Sequence, residues 1–119
     1  MSIRQQLIER FFRYLSVASQ SDAKAVTLPS TPGQQRLAEL LAGELRALGL
    51  KDVVLDRHAT VTAMKRGTVP DAPKIGFIAH LDTFDAGLSP EIRPQILRFE
   101  GQDLCLNREQ DIWLRVAEH

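Results

Sequence analysis

Residues 75–83 read Ile-Gly-Phe-Ile-Ala-His-Leu-Asp-Thr, an apolar run that ends in a histidine and an aspartate. Its apolar start is typical of a strand that is buried on both faces, so we predict a central strand over residues 74–80. Side chains of an extended segment alternate between two faces, so His80 and Asp82 project to the same side. Ligands of open α/β sheets bind at the carboxyl ends of strands, which makes this pair the candidate site.

Two helices are predicted before this strand. Apolar residues recur at helical spacing over residues 3–17, directly after Ser2, which is a suitable N-cap. The signals for a helix over residues 32–48 are stronger, because Thr31 can cap it and Gly49 occupies the position of a left-handed C-cap. Each helix carries one apolar stripe, and each stripe needs a partner surface.

The other segments predict short strands and loops. We predict, in chain order, a hairpin with strands at residues 53–55 and 61–65, a loop over 82–90, short strands over 91–98 and 103–106, and the start of a helix over 109–117. This order predicts an α/β fold in which helices pack on a mixed sheet. The chain is the length of one domain, but its elements provide too few partner surfaces for its apolar faces.

The composition excludes several classes of protein. The 119 residues include 15 basic and 15 acidic side chains, whereas proteins that bind nucleic acids or anionic membranes normally carry a basic excess. No apolar run approaches the roughly 20 residues of a membrane span, and no apolar signal segment follows Met1. The single cysteine, Cys105, fits a reducing compartment. We therefore expect a soluble cytoplasmic domain that binds neither nucleic acid nor membrane.

The spacing of His80 and Asp82 is weak evidence for a site by itself. With three histidines and 15 acidic residues, a His-x-acid pair arises by chance in roughly a quarter of such chains. A histidine that is hydrogen-bonded at the end of a strand is one explanation. The other is a metal ligand, because a neutral imidazole can bind zinc and a nearby carboxylate can fix its orientation. The apolar strand before the pair and the acidic loop after it favour the second explanation.

Several segments together resemble the M20 metallopeptidases, and most closely the tripeptide aminopeptidase branch of that family. Residues 75–83 are similar to the first metal motif of the family. The likeness extends to the family's first helix, the entry to its second helix, the strand that follows and the stretch beyond the metal loop, at residues 7–15, 28–34, 49–55 and 94–96. Phe84-Asp85 stands where the family has a Ser-Pro pair after the motif. This difference affects the expected shape of the loop and not the expected ligand.

This resemblance implies the chemistry of a zinc peptidase. It implies that His80 binds one of two catalytic Zn²⁺ ions and that Asp82 is the catalytic aspartate that orients this ligand. It also implies that the remaining acidic and histidine ligands and the glutamate base lie beyond residue 119. We therefore expect residues 1–119 to be part of a catalytic domain. The longer protein would release the N-terminal residue from tripeptides, and this part alone would be inactive and bind zinc weakly.

Two alternatives to this function remain open. The chain could be a non-catalytic α/β interaction module, or part of an M20 deacylase or dipeptidase; residues 28–34 and 94–96 favour the tripeptidase over these relatives. We expect His58 to be a surface residue and His119 a terminal one. Because an open strand edge with apolar faces can pair with another copy, we also expect a homo-oligomer.

Overall fold

The computed structural model describes residues 1–118, so His119 lies outside the described part. The elements, in chain order, are α1 (Ile3–Leu15), α2 (Pro32–Ala47), β1 (Lys51–Leu55), β2 (Val61–Met64), β3 (Leu104–Asn107), β4 (Ile112–Leu114) and a 3-10 turn (Val116–Glu118). The strands form two separate antiparallel pairs, β1 with β2 and β3 with β4. The chain is therefore a small α/β fold with two small sheets, and the predicted mixed sheet is wrong for residues 1–118.

Helix α1 begins where the sequence predicts and ends two residues earlier. Its N-terminus is a capping box, in which the Ser2 hydroxyl accepts from the backbone N–H of Gln5 at 3.3 Å and the Gln5 side chain accepts from the backbone N–H of Ser2 at 2.9 Å. No residue of α1 is buried, and its apolar residues Ile3, Leu7 and Phe11 are all exposed. The apolar side chains Ile8, Phe12 and Leu15 are half-buried, so the apolar contribution of α1 to the core is small.

A polar cluster joins α1 to α2. The carboxylate of Glu44 accepts hydrogen bonds from the Tyr14 hydroxyl at 2.6 Å and from the Arg13 guanidinium, and it lies 3.7 Å from the guanidinium of Arg10. Burial, the hydrogen bond to Glu44 and the negative charge of Glu44 raise the pKa of Tyr14 to about 12. Desolvation opposes ionisation of Glu44, but the hydrogen bonds from Tyr14 and Arg13 outweigh it and keep the pKa of Glu44 below its usual value. An ionised Glu44 thus attaches α1 to α2.

Helix α2 carries the small core and packs against β1 and β2. The buried apolar residues are Leu37, Ala38, Ala42 and Ala59. At the first turn of α2, Gly33 lies against the backbone of Ala18, where a Cβ atom would be 1.6 Å from the carbonyl oxygen. Only glycine fits this contact, so Gly33 determines how closely α2 approaches the segment after α1.

Helix α2 begins where the sequence predicts and ends one residue earlier, at Ala47. The side-chain oxygen of Gln34 accepts from the backbone N–H groups of Ser30 at 2.8 Å and Thr31 at 3.3 Å. The Thr31 hydroxyl donates to the carbonyl oxygen of Gln20 at 2.9 Å, which ties the helix entry to the preceding loop. At the other end, Gly49 has a φ of 79°, the left-handed conformation of a C-cap.

The predicted hairpin after α2 is confirmed as β1 and β2. In its turn, the Asp56 carboxylate accepts from the backbone N–H groups of Thr60 and His58, each at 2.8 Å. These two hydrogen bonds hold the pKa of Asp56 below its usual value. A buried Ala59 completes the turn and contributes to the core.

The predicted central strand over residues 74–80 is wrong for this chain. Residues 72–82 run without a bend or turn, but they belong to no strand. The side chains of Ile75, Phe77 and Ile78 are 81%, 94% and 101% exposed. Among the described residues, β1 pairs only with β2 and β3 only with β4, so no strand pairs with this segment.

The last part of the chain also differs from the prediction. Residues 91–98 form no strand, whereas the strand predicted at 103–106 is confirmed as β3. Residues 109–117 contain β4 and not the start of a helix, because Asp111 has a φ of 51° and the Asn107 side chain accepts from the backbone N–H of Gln110 at 3.1 Å. These features make a tight turn that a helix does not accommodate.

Neither α1 nor α2 has the length and apolar character needed to cross a membrane.

Replacing Gly33 by alanine should reduce the free energy of unfolding by about 1–3 kcal/mol, because the new Cβ atom forces α2 away from Ala18. Urea denaturation measures the change. The matched control is Gly43→Ala, also within α2, where a Cβ atom meets nothing within 4 Å. That change should stabilise the chain by about 0.5–1 kcal/mol. Equal effects of the two substitutions would contradict the close contact at Gly33.

Replacing Tyr14 by phenylalanine should reduce the free energy of unfolding by about 1–2 kcal/mol at neutral pH, because Glu44 loses a charge-assisted hydrogen bond. The pKa of Glu44 is lowered in the fold, so its contribution is present above its unfolded pKa and is lost as the pH falls through the folded value. Denaturation of both proteins should therefore give a smaller difference at about pH 3. A difference that is independent of pH would contradict the role of the ionised carboxylate.

Candidate functional site

The structure brings His80 and Asp82 together. Nδ1 of the His80 ring lies 2.7 Å from the backbone carbonyl oxygen of Asp82 and 3.2 Å from its side-chain Oδ1. The predicted proximity is therefore confirmed, although the two residues follow an unpaired segment and not a strand. A two-residue separation is enough for the contact, because the ring folds back along its own chain.

The contacts of His80 determine which ring nitrogen carries the proton. Both groups that face Nδ1, a backbone carbonyl and a carboxylate, are hydrogen-bond acceptors. A neutral imidazole has one N–H and one nitrogen lone pair, so these two acceptors favour the tautomer with the hydrogen on Nδ1. The lone pair of Nε2 is then free. This is the arrangement of a metal-binding histidine whose other nitrogen donates to a carboxylate or carbonyl oxygen.

Backbone hydrogen bonds fix the loop that follows the pair. The N–H of Thr83 donates to the carbonyl oxygen of Ser19 at 3.3 Å, and the carbonyl oxygen of Thr83 accepts from the N–H of Ser21 at 2.9 Å. The hydroxyl of Ser21 donates to the same carbonyl oxygen at 3.2 Å. These bonds form a parallel bridge between Gln20 and Thr83, so the segment after α1 holds one end of the candidate site.

An open cleft of about 210 Å³ lies beside Asp82. Its walls are apolar at Leu28, Pro29, Ala59 and Leu81 and polar at Gln34, His58 and Asp82. The sequence predicts a surface position for His58, which is confirmed, but gives no link between His58 and Asp82. No local pattern could have provided one, because the turn between β1 and β2 reaches the cleft through tertiary packing. Arg57 donates to Nε2 of His58 at 3.2 Å, so the lone pair of this ring is already engaged.

The donor groups at this place fit zinc in part. An imidazole with a free Nε2 is a good zinc ligand, and His80 has a side chain that is 83% exposed. A catalytic zinc ion takes about three protein ligands. Within residues 1–118, no three His, Cys, Asp or Glu side chains are close enough together to hold a metal ion. The described residues thus offer one candidate ligand, His80, and a carboxylate within hydrogen-bond distance of its other ring nitrogen.

The chain is similar over its whole length to larger proteins. It is 64% identical to a peptidase T-like protein of Rhizobium meliloti (strain 1021) and 63% identical to one of Yersinia pestis, and it spans about 29% of the length of each. It is 43% identical over 114 residues to a peptidase T of Geobacillus kaustophilus (strain HTA426), which covers 94% of this chain and 28% of that protein. No family model matches the chain.

Replacing His80 by alanine should change the free energy of unfolding of this chain by less than about 0.5 kcal/mol, because the ring is exposed and contacts only its own loop. The comparison is Gln34→Ala, which removes a buried side chain that accepts two backbone hydrogen bonds and should cost about 1–3 kcal/mol. Urea denaturation of the wild-type chain and of both variants measures these changes in the free energy of unfolding. A loss at His80 as large as that at Gln34 would assign His80 a structural role.

Proposed function

We propose that the chain, which is similar over its whole length to the N-terminal part of peptidase T-like proteins, is the first part of the catalytic domain of a zinc-dependent aminopeptidase. The longer protein would release the N-terminal residue from tripeptides. The observation that carries this proposal is the contact of His80 Nδ1 with Asp82, which leaves Nε2 free for a metal. The similarity to peptidase T supports peptides as the substrate class.

In this proposal His80 is a zinc ligand through Nε2. Zinc held there would supply Lewis-acid polarisation of the peptide carbonyl group and would lower the pKa of a water molecule that it binds. Asp82 acts through His80 as a positioning residue. Its carboxylate and its backbone carbonyl hold the proton on Nδ1, fix the plane of the ring and make the Nε2 lone pair more basic. Both residues lie on a short loop that the bridge between Gln20 and Thr83 keeps in place.

We propose further that residues 1–119 are only part of the catalytic domain. The zinc site lacks ligands within the described residues, and the chain spans about 29% of the length of the two relatives with the highest identity named above. The exposed apolar residues at 75–78 fit a strand that the longer protein would cover. On its own, the chain would bind zinc weakly, would not hydrolyse peptides and would associate with copies of itself. Its place of action would be the cytoplasm, where Cys105 stays reduced. The proposal assigns it to the M20 family.

The experiment is a peptidase assay of the longest protein that contains this sequence, with zinc and tripeptides that have a free N-terminus. His80→Ala should reduce kcat/KM at least about 100-fold, since a metal ligand is lost. Asp82→Asn should reduce it about 10–100-fold and weaken zinc binding in a chelator competition by a similar factor. The matched control is Asp85→Asn, a change of the same chemistry three residues further along, which should leave both quantities unchanged.

The alternatives predict other outcomes of the same assay. A deacylase or dipeptidase would act on N-acyl amino acids or dipeptides and leave tripeptides intact. An interaction module would hydrolyse none of these substrates, and His80→Ala would leave its zinc binding unchanged. Either result would contradict the proposed tripeptidase.

A further inference from the structure

Residues 19–21, which we call the clamp, hold both backbone groups of the residue that follows Asp82. The N–H of Thr83 donates to the carbonyl oxygen of Ser19 at 3.3 Å, and the carbonyl oxygen of Thr83 accepts from the N–H of Ser21 at 2.9 Å. Ser19 is buried, and Ser21 and Thr83 are half-buried. Solvent therefore has limited access to these two hydrogen bonds.

The first of these bonds acts on the His80 ring through one rigid peptide unit. The carbonyl group of Asp82 and the N–H of Thr83 belong to the same peptide bond, which is planar and trans. The two groups therefore point in opposite directions, the N–H to Ser19 and the carbonyl oxygen to Nδ1 of His80, which is 2.7 Å away. A rotation of this peptide unit that breaks the bond to Ser19 also turns the carbonyl oxygen away from the ring.

The side chain of Ser21 adds a further bond to the clamp. Its hydroxyl donates to the carbonyl oxygen of Thr83 at 3.2 Å, the same oxygen that accepts from its own N–H. A carbonyl oxygen has two lone pairs, so both bonds form together. Two donors on one residue thus fix the backbone of Thr83 directly beside the peptide unit that faces His80.

The side chain of Gln20 extends the clamp over the following loop. Its amide nitrogen lies 3.5 Å from the carbonyl oxygen of Phe84 and 3.4 Å from that of Leu88. The backbone carbonyl oxygen of Gln20 accepts from the Thr31 hydroxyl at 2.9 Å. Gln20 therefore connects the N-cap of α2 with both ends of the loop over residues 84–88. Both amide contacts are long, so we expect a smaller contribution from Gln20 than from Ser21.

We propose that Ser21 and Gln20 are positioning residues for the His80 ring and act on it through the peptide unit between Asp82 and Thr83. The consequence for zinc rests on the proposed function: a ring that is already held in one orientation loses less freedom when Nε2 binds the metal, so the clamp raises the affinity for zinc. The clamp itself needs no metal, and its effect on the ring is measurable in the zinc-free chain.

Amide hydrogen exchange and ring NMR of the zinc-free 119-residue chain test the clamp. Ser21→Ala should make the Thr83 amide exchange about 3–10-fold faster, because one hydrogen bond is lost, and should move part of the His80 proton from Nδ1 to Nε2. Ser21→Thr keeps the hydroxyl and should restore both signals. The matched control is Ser16→Ala, which removes a hydroxyl that donates to the carbonyl oxygen of Arg13 at 2.7 Å and should change neither. A Thr83 amide or a His80 ring that does not respond to Ser21→Ala would overturn the proposal.

Zinc binding by the longer protein, measured by chelator competition, separates this inference from the proposed function. Ser21→Ala should weaken zinc binding about 3–10-fold, and Ser21→Thr should restore it. Gln20→Met, which keeps the length of the side chain but removes the amide, should weaken it about twofold, whereas the control Gln35→Met on the exposed part of α2 should not. If His80→Ala weakens zinc binding and Ser21→Ala does not, the positioning role is overturned and the proposed function stands. If neither does, the proposed function fails, and the exchange and ring measurements decide on the clamp.

Discussion

The contact of Gly33 with the backbone of Ala18 is the constraint on which the described site depends. Because no side chain separates the two backbones, the first turn of α2 sets the position of the segment after α1. That segment forms the bridge between Gln20 and Thr83, and the bridge fixes the loop that carries His80 and Asp82. A glycine on a helix thus controls, through two successive backbone contacts, where the candidate ligand lies.

The proposed chemistry follows from the contacts of the His80 ring. Asp82 offers two acceptors to one nitrogen of His80, so only the other nitrogen remains for a metal. One imidazole does not make a catalytic zinc site, and the described residues bring no further set of ligands to it. In the proposed function, the lone candidate ligand and the exposed apolar segment before it have the same explanation. Both would be parts of a domain that a longer protein completes.

The sequence predicted those elements whose signals are local. Caps and apolar periodicity placed α1 and α2 to within two residues, and alternation with a turn placed the hairpin of β1 and β2. The strand over residues 74–80 failed because apolar character predicts burial but does not provide the neighbouring strands. The contact of His80 with Asp82 was predictable, since it spans two residues. The place of His58 on the same cleft was not, because only tertiary packing brings it there.

The most direct test of the account is the protonation state of the His80 ring, measured by long-range ¹H–¹⁵N correlation spectroscopy on the longer protein with and without zinc. The account predicts a proton on Nδ1 in both states and a ¹⁵N shift at Nε2 when zinc binds. A proton on Nε2, or ring signals that do not respond to zinc, would contradict the role of His80 as a ligand that Asp82 orients.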